Sequence, residues 1–598
     1  MRLENWLYIL GAGLLVTIVF MARYNGIDAG LYQVRDDGVI TMSAGRHIVD
    51  YGFVGISPSG PIVEASSSPL QMIVYATVYA LSEAAYTTFA KYQTIFTTFL
   101  LGASLGLIFL ESRTAGLCTI LLVSLGLSAV YPFFLWHGSG MENAITHALL
   151  VLSIAGLVHM IRTEKIAYVW AIPLVLTCFS RLELLPTILV LLGAFSLFWY
   201  ALHRRTDGFG LFVLVFCACI GIHLLRFSYF GDFFPNTADA QGISPVDKLR
   251  VLLTGSMAPI YDAFPVTYHN FFRSGWWIAT LSLPLAILLK KNRQEYFLIA
   301  TVLVVLFIAA VSPVLLGFPR IDWGRTYSHV APVAFLLPAW CIFRALMSRS
   351  VFQLAFAVLI LGTAGNWMSK NEPYYLGWAV DDFDETRQEF ASLAKSNDIQ
   401  RALVANPDLG VMSWHKEFNI LDLGMLGSPV IARLHQEPVV ADYILDFAKP
   451  DLVESHGYWT KTYCDNLFLD PRFWEYYRPV TTDIEPKKWC NNPSPQKVIW
   501  IRRSIELGFN GKERRFLESL QNQLKPESIK TELDTCDREQ SDCSYIVRTV
   551  FRFVPELSAQ GALLDVIKLF PDELEQAYLS TTLDSAATGK IIQHYLKE

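Results

Sequence analysis

The sequence predicts a polytopic α-helical membrane protein that ends in a C-terminal α/β domain outside the membrane. The 598 residues are 53% hydrophobic and only 17% charged, whereas soluble proteins carry about 25% charged residues. Apolar segments of nearly membrane-spanning length recur as far as Trp367. Beyond Ser369 the hydropathy falls, and the chain becomes charged, mixed and punctuated by proline. This change predicts two domains, residues 1–368 in the membrane and residues 369–598 in water.

Eleven apolar segments are predicted to cross the bilayer, each near the ~20 residues that a crossing needs. The first, Trp6 to Met21, follows both Arg2 and Glu4, and no small-x-small cleavage motif comes after it. We therefore interpret it as a retained signal-anchor helix. The other ten segments are approximately 88–110, 115–135, 140–161, 166–180, 184–202, 208–229, 274–289, 295–316, 327–346 and 350–367.

One further apolar segment, Ser68 to Ser82, is only as long as a re-entrant or surface helix. If it crossed, every later loop would change sides and the basic clusters would lie outside, against the positive-inside rule. Those clusters are Arg113, Arg162 with Lys165, His203 to Arg205, Lys290 to Arg293, and Arg344 with Arg349. Eleven spans with the N-terminus inside then place the long loop 23–68, four later regions and the C-terminal domain outside. The four later regions are the loop near Gly138–Glu142, the turn at Arg181–Glu183, the connection 230–273 and the loop 317–326.

The net charge of −6 provides no basic surface, so the composition excludes a nucleic-acid-binding protein. Four cysteines lie in the C-terminal domain, which suits an oxidising compartment. Pairing Cys464 with Cys490 and Cys536 with Cys543 is the simplest of the 3 possible connectivities. Neither CxxC nor HExxH occurs, so the sequence gives little support for a zinc site.

Charged residues stand together in the first external loop, which reads RDDGVITMSAGRHIVDYG from Arg35 onwards. Apolar residues at helical spacing predict an amphipathic helix that begins at Asp36. Asp36 could be only an N-terminal cap, because caps prefer aspartate for hydrogen-bonding reasons. Alternatively, Asp36 or Asp37 is a general base for a hydroxyl nucleophile. Arg35 would then keep a carboxylate ionised or bind a phosphate.

A series of motifs between about Asp36 and Arg433 resembles the GT-C membrane glycosyltransferases. The branch that the chain most resembles contains the arabinofuranosyltransferases, including the mycobacterial terminal β-arabinofuranosyltransferase. The motifs occur in the family's order: RDDGVITMSAGRHIVDYG, SGPIVEASSSPL, WHGSGMENAI, SRLELLP, YFGDFFPNT, FPRIDWGRTYSHVAP and LGVMSWHKEFNILDLGMLGSPVIAR. The chain departs from the family pattern in DDGV, in EASSSP and at Gln241, which leaves the identity of the sugar open.

This resemblance implies an inverting transfer of a sugar, with arabinofuranose a candidate, from a polyprenyl-phosphate donor to an acceptor hydroxyl. The acceptor would be a cell-envelope glycan, a glycolipid or a protein, and membrane lipids are the other partners. The enzyme would lie in the bacterial inner membrane with its site on the periplasmic side. No cofactor is expected to be required, and dependence on a divalent metal is left open.

The resemblance implies that an acidic residue of the first external loop is the base, and we expect this to be Asp36, with Asp37 as the second candidate. The departing phosphate is negatively charged, so cations should face it. The expected donor-phosphate ligands are Arg325, at the outer end of a predicted span, Arg181 and, more weakly, Arg320. Expected contacts to the sugar or acceptor are Arg35, Glu64, Glu142, Asp232, Asn236 and Asp322. Arg325 could instead be an interfacial arginine, and Arg181 could instead pair with Glu183 or Glu142.

Three other functions fit part of the sequence. A lipid-linked glycan transporter or flippase would show repeats and charges at mid-membrane, but we find no repeat and the acidic residues lie in external loops. An O-antigen ligase or polymerase would have a similar topology with a different donor. A sensor or scaffold would leave the two aspartates of the first loop unexplained.

Overall fold

The computed structural model describes residues 2–26, 34–58, 60–232, 234–240, 245–273, 276–289, 293–316, 325, 327–348, 351–355, 358–359, 362–363, 380–397, 399, 401–435, 438–480, 484–503, 516, 525–538, 546 and 569. The chain divides into two compact units. The first comprises Met1–Gly38, Ser67–His223 and Gln241–Ala379. The second comprises Val39–Ser66, Leu224–Ala240 and Val380–Glu598, so two short internal segments cluster with the C-terminal part of the chain.

The first unit and its connections are helical. In chain order the helices are α1 Leu3–Gly26, α2 Asp36–Tyr51, α3 Pro69–Ser82, α4 Tyr86–Ile108, α5 Arg113–Ser128, α6 Tyr131–His137, α7 Asn143–Thr163, α8 Ala171–Ser180, α9 Leu185–His203, α10 Asp207–Phe230, α11 Asn236–Ala240, α12 Pro245–Leu253, α13 Ala258–Arg273, α14 Trp276–Leu289, α15 Arg293–Leu316, α16 Val330–Ala334 and α17 Leu336–Ser348. Helices α2 and α10 run from one unit into the other, and α11 belongs to the second unit.

Within the described part of the chain, six segments are long and apolar enough to cross a membrane, or seven if a bent pair counts as one span. The six are Leu3–Tyr24, Asn143–Thr163, Leu182–His203, Asp207–Phe230, Arg293–Val314 and Val330–Ser348. Each lies where the sequence predicts a span. The structure therefore confirms a multi-pass α-helical membrane protein, and it places a short helix, α3, at the segment expected to be re-entrant or superficial.

The remaining expected spans are less regular. The segment predicted as 115–135 is the bent pair, α5 and α6, with an angle of 91° between its halves. Pro132 is the second residue of the second half, and a proline has no N–H to continue the hydrogen bonds of the preceding helix. Helix α4 has 23 residues but contains Lys91 and Gln93, so it is less apolar than the six. The segments at 166–180 and 274–289 form short helices, and half of 350–367 lies outside the described residues.

Small residues allow the helices of the first unit to pack closely. Gly102 and Gly106 of α4 face α1, and a Cβ atom at Gly102 would lie 2.7 Å from the carbonyl oxygen of Ala12. Small residues at such contacts let helix backbones approach in a membrane, where packing rather than water exclusion drives association. This contact fixes α1 against α4.

The second unit contains a five-stranded sheet, which confirms the C-terminal α/β domain. The strands are β1 Leu403–Asn406, β2 Asn419–Asp422, β3 Leu452–Ser455, β4 Tyr477–Pro479 and β5 Val498–Arg502, in the order β2-β1-β3-β5-β4. Strands β2, β1 and β3 are parallel, whereas β5 is antiparallel to β3 and β4. The surrounding helical segments are Val380–Ser396, Gly410–His415, Pro429–Leu434, Val439–Asp442, Tyr443–Ala448, Gly457–Thr462, Cys464–Phe468, Pro471–Tyr476, Pro486–Cys490 and Pro526–Arg538.

Two hydrophobic clusters hold this unit together. One gathers large side chains around the fully buried Trp500, with Phe468, Phe473 and Trp489 packed on its ring. The other joins apolar residues of 39–66 to the sheet and to the helix Val380–Ser396, which explains why that early segment belongs to the second unit. A disulfide links Cys464 and Cys490, one of the two expected pairs, with 5.8 Å between their Cα atoms. The side chains of Cys536 and Cys543 lie outside the described residues.

Candidate functional site

The loop from Gly138 to Glu142 is the centre of a polar cluster in the first unit. Its backbone is held by two buried glutamines that lie on different helices. The Nε2 atom of Gln71, on α3, donates to the carbonyl oxygen of Gly140 at 2.7 Å and to Oε1 of Gln93 at 3.0 Å. Gln93, on α4, donates in turn to the carbonyl oxygen of Met141 at 2.7 Å. The two amides therefore fix the loop, because unpaired carbonyl groups buried among helices would be costly.

The first turn of α2 lies against this loop. The backbone N–H of Arg35 donates to the carbonyl oxygen of Ser139 at 3.0 Å. A Cβ atom at Gly38 would lie 3.1 Å from the carbonyl group of Gly140, so only glycine fits there without a shift. Asp36 and Asp37 are consequently the first two residues of a helix whose start is fixed in position. Their side chains differ in exposure, because Asp36 is buried and the Asp37 side chain is 46% exposed.

Arg325 completes this carboxylate site. Its guanidinium group donates to Oδ2 of Asp37 and forms an ion pair with it. The guanidinium carbon also lies 6.0 Å from the centre of the Trp136 ring, at the outer limit for a favourable cation–π contact. The sequence singled out Asp37 and Arg325 for different chemical reasons, and the structure brings them into contact across 288 positions of the chain.

The first residue of α7, Asn143, holds the backbone of Arg325 in place. The Nδ2 atom of Asn143 donates to the carbonyl oxygen of Arg325 at 2.9 Å and to Oγ of Ser328 at 2.8 Å. Asn143 is 1% exposed and Ser328 is fully buried. These bonds fix the turn that carries the guanidinium group.

Arg181, the second expected phosphate ligand, lies in a buried ion-pair cluster. It pairs with Glu183, and its Nη1 atom lies 3.5 Å from Oε1 of Glu142. Both Arg181 and Glu142 are less than a tenth exposed. Glu142 precedes α7, where a carboxylate is also favoured by the helix dipole. The arrangement matches the structural alternative for Arg181, and it accounts for Glu142 as the partner of a buried cation.

Three other expected contact residues lie in the second unit, where each has a protein partner. Glu64 accepts a 2.5 Å hydrogen bond from Nε of Arg226. Burial raises the pKa of Glu64, and the hydrogen bond from Arg226 opposes that rise. Asp232 lies 3.5 Å from Arg433. Asn236 donates to the carbonyl oxygens at 425 and 426, at 2.8 and 2.6 Å. Arg320 and Asp322 lie outside the described residues, as does Gln241.

The residues that support the site are not evident from the sequence. They are Gln71, Gln93, His137, Asn143, His147 and Ser328. The available signal was their polarity inside apolar segments, since buried polar groups in membrane helices are costly and tend to face one another. His137 and Asn143 lie within the motif WHGSGMENAI, and Ser328 lies within FPRIDWGRTYSHVAP, but the spacing in these motifs does not indicate their supporting role.

One group of three side chains in the described part of the chain could hold a metal ion: Asp408, Glu454 and His456 in the second unit. Nδ1 of His456 lies 2.8 Å from Oε1 of Glu454, and Nε2 lies 3.7 Å from Asp408. Burial alone would lower the pKa of His456, but the hydrogen bond to Glu454 and the two negative charges raise it to about 9. A protonated imidazole between two carboxylates therefore accounts for this cluster without a metal.

No known family model matches this chain, and no curated protein matches it. Ten chains of known structure are similar to it, among them the crystal structure of ArnT from Cupriavidus metallidurans bound to undecaprenyl phosphate. That alignment covers 83% of this chain and 98% of ArnT, with 14% sequence identity and a TM-score of 0.36.

Proposed function

We propose that this protein is an integral membrane glycosyltransferase of the GT-C type. It would move a sugar from a polyprenyl-phosphate donor to the hydroxyl group of a cell-envelope glycan, glycolipid or protein, with inversion. The support is the ordered series of motifs together with the contact between Asp37 and Arg325. That contact is the single observation that carries the proposal, because it places a phosphate-binding cation at the start of the helix that carries both aspartates of the first loop.

The reaction needs a base and a cation, and we assign these roles to Asp36 and Arg325. Asp36 is the proposed general base, which takes the proton of the acceptor hydroxyl as the hydroxyl oxygen bonds to the anomeric carbon. The bond from that carbon to the donor phosphate breaks, and the phosphate leaves with an added negative charge. Arg325 stabilises that charge, since a guanidinium has five N–H donors in a planar fork that suits phosphate oxygens. Asp37 orients Arg325 rather than acting as the base, because its carboxylate is occupied by the guanidinium group.

The positive-inside rule supports placing the site on the periplasmic side of the bacterial inner membrane. Arabinofuranose is a candidate sugar on the resemblance alone, and the departures at DDGV and EASSSP leave other sugars open. A transporter would place its ionisable groups in a pathway at mid-membrane. Here the proposed reactive carboxylates lie at the N-terminus of α2, outside the spans, which favours surface chemistry.

The proposal is tested by transfer of radiolabelled sugar from polyprenyl-phosphate donors to envelope acceptors by the purified protein in nanodiscs. Asp36→Asn is expected to lose at least a hundredfold in turnover while still binding donor, since general-base catalysis contributes about 10²–10⁴-fold. Arg325→Gln is expected to lose donor affinity and turnover together.

Arg344→Gln is the matched control for the arginine. Arg344 pairs with Glu295 at 3.0 Å, and its side chain is 17% exposed compared with 19% for Arg325. It is expected to keep near wild-type turnover. A wild-type protein that consumes no polyprenyl-phosphate sugar, or an Asp36→Asn variant with full activity, would contradict the proposal.

A further inference from the structure

A chain of hydrogen bonds runs through the interior of the first unit and ends at the turn that carries Arg325. From α4, Oγ1 of Thr98 lies 2.9 Å from Nε2 of His137. The Nδ1 atoms of His137 and His147 lie 3.1 Å apart. Nε2 of His147 lies 2.9 Å from Oγ of Ser328, which lies 3.0 Å from the carbonyl oxygen of Arg325.

All four side chains between α4 and this turn are fully buried. The two imidazole rings are parallel within 7° and their centres lie 5.3 Å apart. No carboxylate takes part in the chain. Its members are therefore neutral groups. Each of them must form its hydrogen bonds with its neighbours in the chain, since a buried donor or acceptor left unpaired costs free energy.

The hydrogen atoms of these groups can be arranged in two ways, so the hydrogen bonds of the chain can run in either of two directions. A short Nδ1–Nδ1 contact needs a proton on one of the two atoms and a lone pair on the other, so the two neutral rings must be opposite tautomers. In one direction Ser328 donates to His147, His147 to His137, and His137 to Thr98, whose hydroxyl donates to the carbonyl oxygen of Thr94 at 2.7 Å. In the other direction Thr98 donates to His137, His137 to His147, and His147 to Ser328. Ser328 then donates to the carbonyl oxygen of Arg325.

We propose that His137 and His147, through Ser328, are positioning residues that set the place of Arg325 against Asp37. In both directions every donor and acceptor of the chain has a hydrogen-bond partner. Ser328 also stays bonded to Asn143, whose amide donates to the carbonyl oxygen of Arg325. The chain therefore connects α4, α6 and α7 to the turn that begins at Arg325. The consequence for a phosphate ligand rests on the proposed function, whereas the hydrogen-bonded chain itself does not.

Binding of undecaprenyl phosphate to the full-length protein in nanodiscs tests the positioning role. Ser328→Ala removes the hydroxyl that joins His147 to the turn and is expected to weaken binding about tenfold. Ser153→Ala is the matched control, because Ser153 is an equally buried serine of the same unit whose hydroxyl bonds Thr177 at 3.1 Å. It is expected to lower the melting temperature to a similar extent and leave binding unchanged. Equal affinities for the two variants overturn the proposal.

A second pair of variants separates positioning from packing. The side-chain amide of a glutamine at position 147 can occupy the position of the imidazole Nε2 atom. The shorter side chain of an asparagine places its amide at the position of the Nδ1 atom. His147→Gln is therefore expected to keep the contact with Ser328 and bind within about threefold of wild type. His147→Asn is expected to lose that contact and bind about tenfold more weakly. If His147→Gln is the weaker binder, the link to Ser328 does not position Arg325.

Nuclear magnetic resonance of ¹⁵N-histidine-labelled protein tests the chain without relying on the proposed function. Two of the 12 histidines, assigned through His137→Gln and His147→Gln, are expected to be neutral opposite tautomers whose shifts change together in Ser328→Ala. Identical tautomers, or a ring charged at neutral pH, overturn the proposal. If wild-type protein binds no undecaprenyl phosphate while the coupled tautomers are present, the proposed function fails and the buried chain stands.

Discussion

The two glutamines that hold the Gly138–Glu142 loop give a quantitative test of how this site is built. Replacing Gln71 by leucine leaves two acceptors unpaired, the carbonyl oxygen of Gly140 and Oε1 of Gln93. Replacing Gln93 by leucine also leaves two groups unpaired, the carbonyl oxygen of Met141 and one N–H of Gln71. In the double variant only the two backbone carbonyl groups are unpaired, because the side-chain partners have left together.

The expected free energies follow from that count. At about 1 kcal/mol for each unpaired group, near the lower end of the range for buried groups and close to the values found in membrane proteins, each single variant loses about 2 kcal/mol. Independent effects would sum to about 4 kcal/mol, but the double variant is expected to lose only about 2 kcal/mol. The coupling energy is therefore about 2 kcal/mol, which is large for a pair of residues on different helices.

The assay is reversible unfolding of the purified protein in mixed micelles, with the free energy of unfolding obtained for wild type and for the three variants. Thr17→Val on α1 is a suitable control, since among the described residues its hydroxyl bonds the carbonyl oxygen of Gly13 on its own helix, at 2.9 Å, and no other group. It is expected to change stability by less than the glutamine variants. Additive losses in the double variant would refute the reasoning, because they would mean that the two amides do not share a hydrogen bond.

Three further predictions concern other parts of the molecule. Gly38→Ala should lower turnover at least tenfold with a smaller effect on donor binding, measured by transfer kinetics, because its Cβ atom would lie 3.1 Å from the Gly140 carbonyl group and shift the start of α2. Burial lowers the pKa of His47 to about 4, so stability that is present above about pH 6.5 should be lost as the pH falls towards 4, by up to about 3 kcal/mol. Thermal melting across this range should show the loss, and His47→Gln should flatten the profile. Reducing the Cys464–Cys490 disulfide, which spans 26 residues, should cost about 3.5 kcal/mol by loop entropy, and an unchanged melting temperature on reduction would contradict this.

The elements that the sequence predicts best are those that depend on one local property. Long apolar runs predict membrane helices because a crossing segment must satisfy its backbone internally and expose apolar side chains. In the described part of the chain, the six segments that are long and apolar enough to cross lie where spans were expected. The bend between α5 and α6 was missed, although Pro132 was visible, because proline is often tolerated within membrane helices. The composition of the last 230 residues likewise predicts a water-soluble fold but does not determine the strand order.

Contacts between distant residues limit what could be predicted of the site. The carboxylates of the first loop were selected by their position at a helix start, and Arg325 by its place near the end of a span. Nothing in either pattern states that they meet. The supporting residues were harder still, since Gln71 and His147 read as isolated polar interruptions of apolar helices until the structure gives each a partner.

The different surroundings of Asp36 and Asp37 follow from helix geometry. Successive residues of an α-helix point about 100° apart, so two adjacent aspartates at the start of α2 cannot face the same neighbour. Asp37 points outward and holds Arg325. Asp36 is buried, and it follows Arg35, whose backbone N–H donates to the carbonyl oxygen of Ser139. In the proposed reaction, one carboxylate orients the cation that binds the phosphate while the other takes up a proton. Exchanging the two roles would require α2 to rotate, and the close approach of Gly38 to Gly140 prevents that rotation.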